Sequence, residues 1–349
     1  MVETKQIIKA RIVKKTVREN EDVYDLTVRK NHNFFANGLL VHNCAEISLR
    51  PYQFCNLCEI NASDIVDQDD YNARAKAAAF IGTLQASYTN FHYLRDIWKR
   101  TTEREALIGV GMTGIASGAV LKLDMKEAAN VVKAENERVA GMIGINKAAR
   151  TTTIKPSGTS SLVLGSSSGI HSWHNDYYIR RVRVGKNESI YNYLLANHPE
   201  LVEDEFFKPT SQAVIEVPQK APKGAVTRQE SALDLLARVS KVWKEWVKPG
   251  HRKGENKNNV SVTVTIKPNE WEEVGEWMWA NKENFTALSV LPYDGGSYIQ
   301  APFTDCTKEE YEERVSHLHA IDLRKVVEVE DDTNLQGEVA CGGGACEIV

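Results

Sequence analysis

Leu40-Val41-His42-Asn43-Cys44-Ala45-Glu46 is the stretch on which the reading of this chain turns, because two unrelated chemistries meet at Cys44. Upstream, a His-Asn pair closes a short β-rich segment and abuts a thiol. An Asn side-chain amide can attack its own main-chain carbonyl and cut the bond to the next residue, and a neighbouring imidazole can supply the proton. A thiol just after the scissile bond can accept an acyl group as a thioester. Downstream, Cys44 lies two residues before Glu46. In extended chain, residues i and i+2 face the same side, so thiol and carboxylate could address one substrate. An isolated C-x-E is usually a loop cysteine beside a solvated glutamate. The flanking sequence decides otherwise here.

The 349 residues suffice for about two or three domains and a large core. A net charge of −4 and a pI near 6.2 give no nucleic-acid signal. Met1-Val2-Glu3-Thr4-Lys5 lacks a signal-peptide apolar run, and no later stretch is long enough to span a membrane. A cytoplasmic protein with no membrane or nucleic-acid partner is expected. Six cysteines (Cys44, Cys55, Cys58, Cys306, Cys341, Cys346) are too few and too uneven for a disulfide scaffold. In a reducing compartment they point to catalysis, redox work or metal binding.

Residues 1–43 read as a small basic unit, with a strand at Val23–Val28 and a hairpin turn at Asn37-Gly38 before Leu39-Leu40-Val41. Asp25 inside that strand is costly to bury without a partner or a function. Further on, Asp69 to Arg104 reads as one long helix, with Ala77, Ile81, Leu84, Tyr88, Phe91, Leu94 and Ile97 at helical spacing. Gly109-Val110-Gly111-Met112-Thr113-Gly114 matches the letters of a dinucleotide fingerprint. It has no strand before it and no acid at the ribose-binding distance, so its glycines are read as permitting close helix packing. Met125 to Ala149 is an amphipathic helix.

Thr151–Lys155 is a β-branched strand that runs into Pro156-Ser157-Gly158-Thr159-Ser160-Ser161. Small hydroxyl residues around a glycine suit a phosphate cradle. Chemistry alone leaves an ordinary serine-rich turn equally open. Tyr177–Arg183 reads as a strand with a solvated basic face, Glu230–Val247 and Asn269–Lys282 as helices, and Val260–Ile266 and Ala287–Leu291 as strands. Strand–helix alternation across 150–292 argues for a parallel α/β architecture. Cys55-x-x-Cys58 lacks the second pair that zinc needs, and a packed or half-exposed thiol is the default for Cys58. The tail after Lys325 is Gly-rich and poor in apolar residues, with Cys341 and Cys346 near its end. Two thiols on such an arm suit a redox shuttle.

Two family resemblances organise these observations. Val23–Val28, Asn31-His32-Asn33-Phe34 and Gly38–Cys44 resemble the C-terminal portion of an intein. That resemblance implies Asn43 as the cyclising residue, His42 as its proton donor, Cys44 as the first residue of the spliced product, and Asp25 and His32 as assisting residues. An all-β segment of a Hint fold is expected, read as one half of a split intein, with a truncated cis-splicing precursor as the alternative.

The second resemblance rests on Cys44-Ala45-Glu46-Ile47, Phe54-Cys55-Asn56-Leu57, Gly109–Gly114, Pro156–Ser160, Ser167–His171, Leu291–Gly296 and the Cys341/Cys346 tail. In that order they resemble the C-terminal half of adenosylcobalamin-dependent (class II) ribonucleotide reductases, closest to the monomeric triphosphate reductases. It implies the second half of a ten-stranded α/β barrel with a finger loop over residues 44–325, preceded by the intein segment 1–43 and followed by a shuttle tail 326–349. It also implies Cys44 as the thiyl-radical cysteine, Glu46 as the acceptor of the 3′-hydroxyl proton and Cys55 as one of the reducing pair. By the same resemblance Ser157, Gly158, Thr159, Ser160 and Ser161 hold substrate phosphate, and Cys341 and Cys346 pass on electrons from thioredoxin. Implied partners are adenosylcobalamin, a ribonucleotide, and an N-terminal reductase half that carries the N-intein and the effector site. The family's Asn two residues before the radical cysteine is absent, because His42 and Asn43 precede Cys44.

Overall fold

The computed structural model describes residues 33–36, 39–42, 47–293 and 299–327. Its first elements are the antiparallel strands β1 (Asn33–Ala36) and β2 (Leu39–His42), with Asn33 opposite His42 and Ala36 opposite Leu39. They flank the Asn37-Gly38 pair, as the turn chemistry predicts. The expected strand at Val23–Val28 lies outside the described residues.

The rest of the chain runs β3 (Asn56–Asn61), α1 (Gln68–Gln85), α2 (Asp96–Glu105), β4 (Ile108–Thr113), α3 (Met125–Ile143) and α4 (Thr159–Val163). Then come β5 (Tyr177–Gly185), α5 (Ser189–Asn197), β6 (Val202–Asp204), β7 (Gln212–Lys220) and α6 (Ala232–Val242). The series ends with β8 (Thr263–Ile266), α7 (Trp271–Ala280), β9 (Ser289–Pro292), β10 (Phe303–Asp305) and α8 (Lys308–His317).

Five extended segments lie side by side and parallel. β3 pairs with β4, Leu57 opposite Gly109 and Glu59 opposite Gly111. β4 meets residues 151–154 through Val110 N to Thr151 O (2.8 Å) and Thr153 N to Val110 O (3.0 Å). Ile154 N then donates to Asn259 O (3.0 Å) and Ser261 N to Ile154 O (2.9 Å), and β8 pairs with β9. Helices lie between successive strands in sequence, the arrangement that parallel pairing requires. All six residues of β4 are buried, as expected for a parallel strand covered on both faces.

Five expectations are corrected. The glycine run is itself β4, not a helix-packing site. A Cβ at Gly109 would lie 2.5 Å from Leu57 Cδ2, 3.0 Å from Ile47 Cδ1 and 3.1 Å from Thr153 Cγ2. Glycine is needed there by close approach within the sheet face.

The long helix from Asp69 is two, α1 and α2. Its buried stripe is Tyr71, Ala75, Ala78, Ala79, Gly82 and Thr83, while Ile81 is 53% and Tyr88 76% exposed. Small residues let α1 approach β3 and α3, and Asn136 Nδ2 reaches Thr83 Oγ1 at 3.0 Å. The amphipathic helix expected to Ala149 stops at Ile143, where Gly144 takes a left-handed cap (φ +74).

Residues 177–220 do not continue the parallel series. β5, β6, β7 and β10 form an antiparallel sheet in the order β10-β5-β7-β6. The arginines of β5 are not simply solvated. Arg180 is buried with its guanidinium 4.4 Å from the Phe303 ring centroid, and Arg181 pairs with Glu216 at 2.6 Å.

The helix expected over 230–247 forms as α6 followed by a wide π turn at Trp243–Val247. That turn places the fully buried Trp246 so that Nε1 donates to Val110 O and Thr153 O, each at 3.2 Å. An indole N–H thereby satisfies carbonyls at the sheet's centre.

Gly169 (φ +54) stands against the end of the third segment, where an added Cβ would lie 2.3 Å from Lys155 O. Gly118 (φ +89) has nothing within 4 Å of that position. Gly169→Ala should therefore add a steric cost to the left-handed penalty and lose about 3 kcal/mol. Gly118→Ala should lose about 1–2 kcal/mol. Urea unfolding midpoints of the two variants check the ranking.

Candidate functional site

Alternation along β3 sorts its side chains. Phe54 stacks on Trp98 (centroids 4.8 Å apart) and Ile60 joins the helix-covered core. Cys58 points to the same side, where its Sγ would be 3.4 Å from a Cβ on Gly82 of α1 and lies 3.4 Å from Gln85 Oε1. By the same alternation Cys55, Leu57 and Glu59 share the opposite, inner face. Cys55 and Cys58 therefore look in opposite directions, and their C-x-x-C spacing makes neither a redox pair nor half a metal site. Cys58 is the packed thiol expected of it. Cys306 follows β10 in the antiparallel sheet, away from this face, and burial pushes its thiol up.

The inner face of β4 is nearly bare, because Gly109 and Gly111 stand opposite Leu57 and Glu59. Ile47 lies over Gly109. Ile47 immediately follows the Cys44–Glu46 stretch, which lies outside the described residues together with Asp25, His32, Asn43, Cys341 and Cys346. His42 ends β2.

At the start of β3, burial pushes the Cys55 thiol up to about 12, against the opposing charge of Arg150. Cys55 is a protonated thiol at neutral pH. Beside it lies a charged clamp that sequence reasoning missed. Fully buried Arg150 donates to Glu105 Oε2 (2.7 Å) and Ser48 O (3.1 Å), and Glu105 also accepts from Gln53 Nε2 (3.0 Å) and Arg50 Nε (2.5 Å). Burial pushes Glu105 up, but these hydrogen bonds and the Arg150 charge outweigh it and bring the carboxyl to about 2. The clamp anchors residues 48–53, the stretch that leads into β3.

Four residues beyond Cys55, roughly 13 Å along a strand, Glu59 reaches the serine loop. Its Oε2 accepts from Ser157 Oγ (2.9 Å) and Ser160 Oγ (2.5 Å). Ser157 N donates to Ser168 Oγ (2.8 Å), Ser161 N to Ser157 Oγ (3.0 Å), and Gly169 N to Thr113 Oγ1 (3.1 Å). Gly158 and Thr159 open the single turn of α4. His171 ties this loop to β8, with Nδ1 3.1 Å from Ser168 O and Nε2 accepting from Thr263 N (3.2 Å). The proton therefore sits on Nδ1. Desolvation lowers its pKa to about 4, so the ring is neutral. Of the sequence-predicted site residues, the structure thus brings Cys55 and the 157–161 loop to one face. Glu59 was missed as a site residue, although two-residue alternation from Cys55 points to it.

Among the described residues no helix is long and apolar enough to cross a membrane. Nor do His, Cys, Asp and Glu gather there in threes that could hold a metal ion.

This architecture is an α/β fold shared with a crystal structure of a B12-dependent (class II) ribonucleotide reductase. The match has a TM-score of 0.67 and 22% identity, over 82% of this chain and 43% of that one. Curated relatives carry the same kind of name, adenosylcobalamin-dependent ribonucleoside-triphosphate reductase. The protein of Lactobacillus helveticus (strain DPC 4571) is 25% identical over 375 residues, covering 93% of this chain and 48% of its own. That of Lacticaseibacillus paracasei is 27% identical over 350 residues (87% and 44%), and that of Euglena gracilis 25% over 287 (78% and 37%). The chain spans about half the length of the curated relatives it matches, 48% for the first. No family model matches it.

The buried acid and the buried imidazole titrate in separate windows. Glu105 is depressed from 4.5 to about 2, so its contribution is present above pH 4.5 and is lost as pH falls through about 2. That contribution is ~3 kcal/mol. His171 is depressed from 6.5 to about 4, so the unfolded chain protonates first and stability drops as pH falls from 6.5 to 4. His171→Gln should shrink the loss between pH 6.5 and 4 in a stability–pH curve, leaving the part that His174, also lowered to about 4 by desolvation, contributes there, and leave the lower window unchanged. Arg150→Met should cost about 1–3 kcal/mol at neutral pH, because Glu105 keeps Arg50 and Gln53 but loses its buried partner, and Ser48 O loses its donor.

Proposed function

We propose that this chain is a splicing precursor which, once ligated to an N-terminal half, reduces ribonucleotides to 2′-deoxyribonucleotides for DNA synthesis. The observation that carries this is the inner face of β3 and β4. It holds protonated Cys55 at one end and a hydroxyl-lined loop at the other, with Ile47 lying over Gly109 between them. The names of the relatives support adenosylcobalamin as cofactor and the ribonucleoside triphosphate as substrate; thioredoxin as the external reductant is part of this proposal and rests on the sequence resemblance alone. The diphosphate is the alternative substrate.

The described residues suit part of that cofactor. Ser63 and Ser166 crowd around Gly114 at the ends of β3 and β4, Gly114 N donates to Ser167 O (2.8 Å), and Ser167 Oγ is buried with no partner among the described residues. Such a hydroxyl fits the amide side chains of a corrin, and the remaining contacts would come from the partner half. Adenosylcobalamin, when bound, supplies the initiating radical.

In this reading Cys44 gives up its hydrogen atom, and its thiyl removes the 3′-hydrogen of the ribose. A sulfur–hydrogen bond is weak enough to pass a radical in both directions. Glu46 takes the 3′-hydroxyl proton, and the 2′-hydroxyl leaves as water. Cys55 and a cysteine of the partner half supply two electrons and become a disulfide, and the 3′-hydrogen returns from Cys44. Cys341 and Cys346 then reduce that disulfide by exchange. Ser157–Ser161 hold the phosphates.

Before any of this, His42, Asn43 and Cys44, assisted by Asp25 and His32, release the intein segment. Until they do, Cys44 is joined to Asn43 and cannot continue into an N-terminal half.

Cys44 serves both chemistries, and substitution separates them. An acyl acceptor needs nucleophilicity, which a hydroxyl retains at lower rate; a radical carrier needs a weak bond to hydrogen, which serine lacks. With an N-terminal half bearing the N-intein, Cys44→Ser should yield some ligated product on a gel and no deoxynucleotide when adenosylcobalamin is added. Glu46→Gln should splice near normally and lose most of its reductase rate. Asn43→Ala should stall at a branched thioester visible by mass spectrometry. A Cys44→Ser product that still reduces nucleotides would remove Cys44 from the centre of the reaction.

A further inference from the structure

Glu59 is an anion placed inside a site built for anions. Ser157 Oγ and Ser160 Oγ converge on its Oε2 at 2.9 and 2.5 Å, and the two hydroxyls are 2.6 Å apart. Ser157 Oγ is backed by the Ser161 N–H, which polarises it as a donor. Two hydroxyl donors on one oxyanion oxygen is the pattern in which a phosphate oxygen is bound. The second oxygen, Oε1, is buried with no partner among the described residues. A carboxylate oxygen left without donors gains less from its position than a fully paired one would. The neighbouring strand leaves it room, since Gly111 stands opposite and an added Cβ there would still be 3.8 Å from Glu59 Cγ.

We propose that Glu59 is an internal stand-in for phosphate. Without nucleotide its carboxylate takes the place of a phosphate oxygen and keeps the two hydroxyls aimed. A polyphosphate must displace it over the bare face at Gly111, so Glu59 sets the affinity of the site for the anionic end of the substrate. This inference rests on the reading of residues 157–161 as the phosphate site. The carboxylate and a phosphate oxygen cannot share the same two donors, and like charges at contact distance repel. Glu59 thereby weakens binding and sharpens selection, since a ligand must bring enough hydrogen-bonding oxygens to replace it.

The test uses the full chain and inorganic tripolyphosphate, followed by titration calorimetry at low salt, where electrostatic effects are least screened. Glu59→Gln keeps an acceptor for both serines and removes the charge; Glu59→Ala removes both. Unfolding midpoints confirm that each variant is folded. Both should bind tripolyphosphate at least tenfold more tightly than the parent chain, and Ser157→Ala should bind it more weakly. If the folded variants bind no better than the parent, Glu59 is not a competitor, while the phosphate reading of the serine loop stands. If none of the four proteins binds tripolyphosphate, the phosphate reading fails and the stand-in fails with it.

Discussion

The inner face of β4 has to be bare, and much else follows from that. A Cβ on Gly109 would lie 2.5 Å from Leu57 Cδ2 and tightly against Ile47 and Thr153, so side chains from three other segments meet over a strand face that contributes none. Glycine weakens a strand by its entropy in the unfolded chain and its lack of packing surface. β4 offsets that with burial of all six residues and hydrogen bonds on both sides, to β3 and to residues 151–154. On its helix-facing side it is conventionally apolar. Ile108, Val110 and Met112 lie in the main core beneath α1, with Tyr71 Oη touching Met112 Sδ at 2.9 Å. One strand thus packs densely outward and leaves space inward, where Ile47 brings in the chain that follows Glu46.

The helices that cover this sheet are fitted to it by small residues rather than large ones. The Ala and Gly stripe of α1 brings the helix close to β3, where Gly82 lies against Ile108 and Cys58. Close approach of this kind leaves little room for relaxation, so core changes here are felt at the strand. α6 approaches from the other end of the series, and its widened last turn sets Trp246 across two strands at once. The strand order is therefore held by both ladder hydrogen bonds and an indole that bridges them.

What the sequence made legible was local. Asn37-Gly38 marked a hairpin, and β1 and β2 form on either side of it. The β-branched runs marked β8 and the 151–154 segment, and apolar spacing marked α3, although not its end at Gly144. What escaped was whatever depends on non-local partners. β4 carries β-branched Ile108, Val110 and Thr113, but the glycines between them match the letters of a loop fingerprint and drew the reading away from a strand. α1 was read by its large apolar residues, although its alanines are what pack. The antiparallel sheet interrupts the parallel series because β5 finds β7 and β10, far along the chain. Glu105 and Arg150, 45 residues apart, look like two solvated charges until the fold buries them together. Of the candidate site, Cys55 and the serine loop were legible by motif; Glu59 was not, because its meaning comes from Ser157, 98 residues on.

The two ends of the β3 inner face satisfy opposite electrostatic demands. At the Cys55 end a full positive charge is present, yet the thiol stays protonated. Arg150 lies 2.7 Å from Glu105, so its charge is already matched, and what Cys55 experiences is mainly loss of water. Burial prevails over a neutralised pair. A thiol in that state carries hydrogen and is a poor nucleophile, which suits a group that gives hydrogen inside the site. At the Glu59 end the order is reversed: neutral hydroxyls gather around a charge and keep it in place through oriented dipoles. Leu57 stands between them as an apolar spacer opposite Gly109. A strand of six residues thereby separates a region where charge is suppressed from one where it is accommodated. A substrate with a neutral reacting centre and an anionic tail matches that gradient in one orientation.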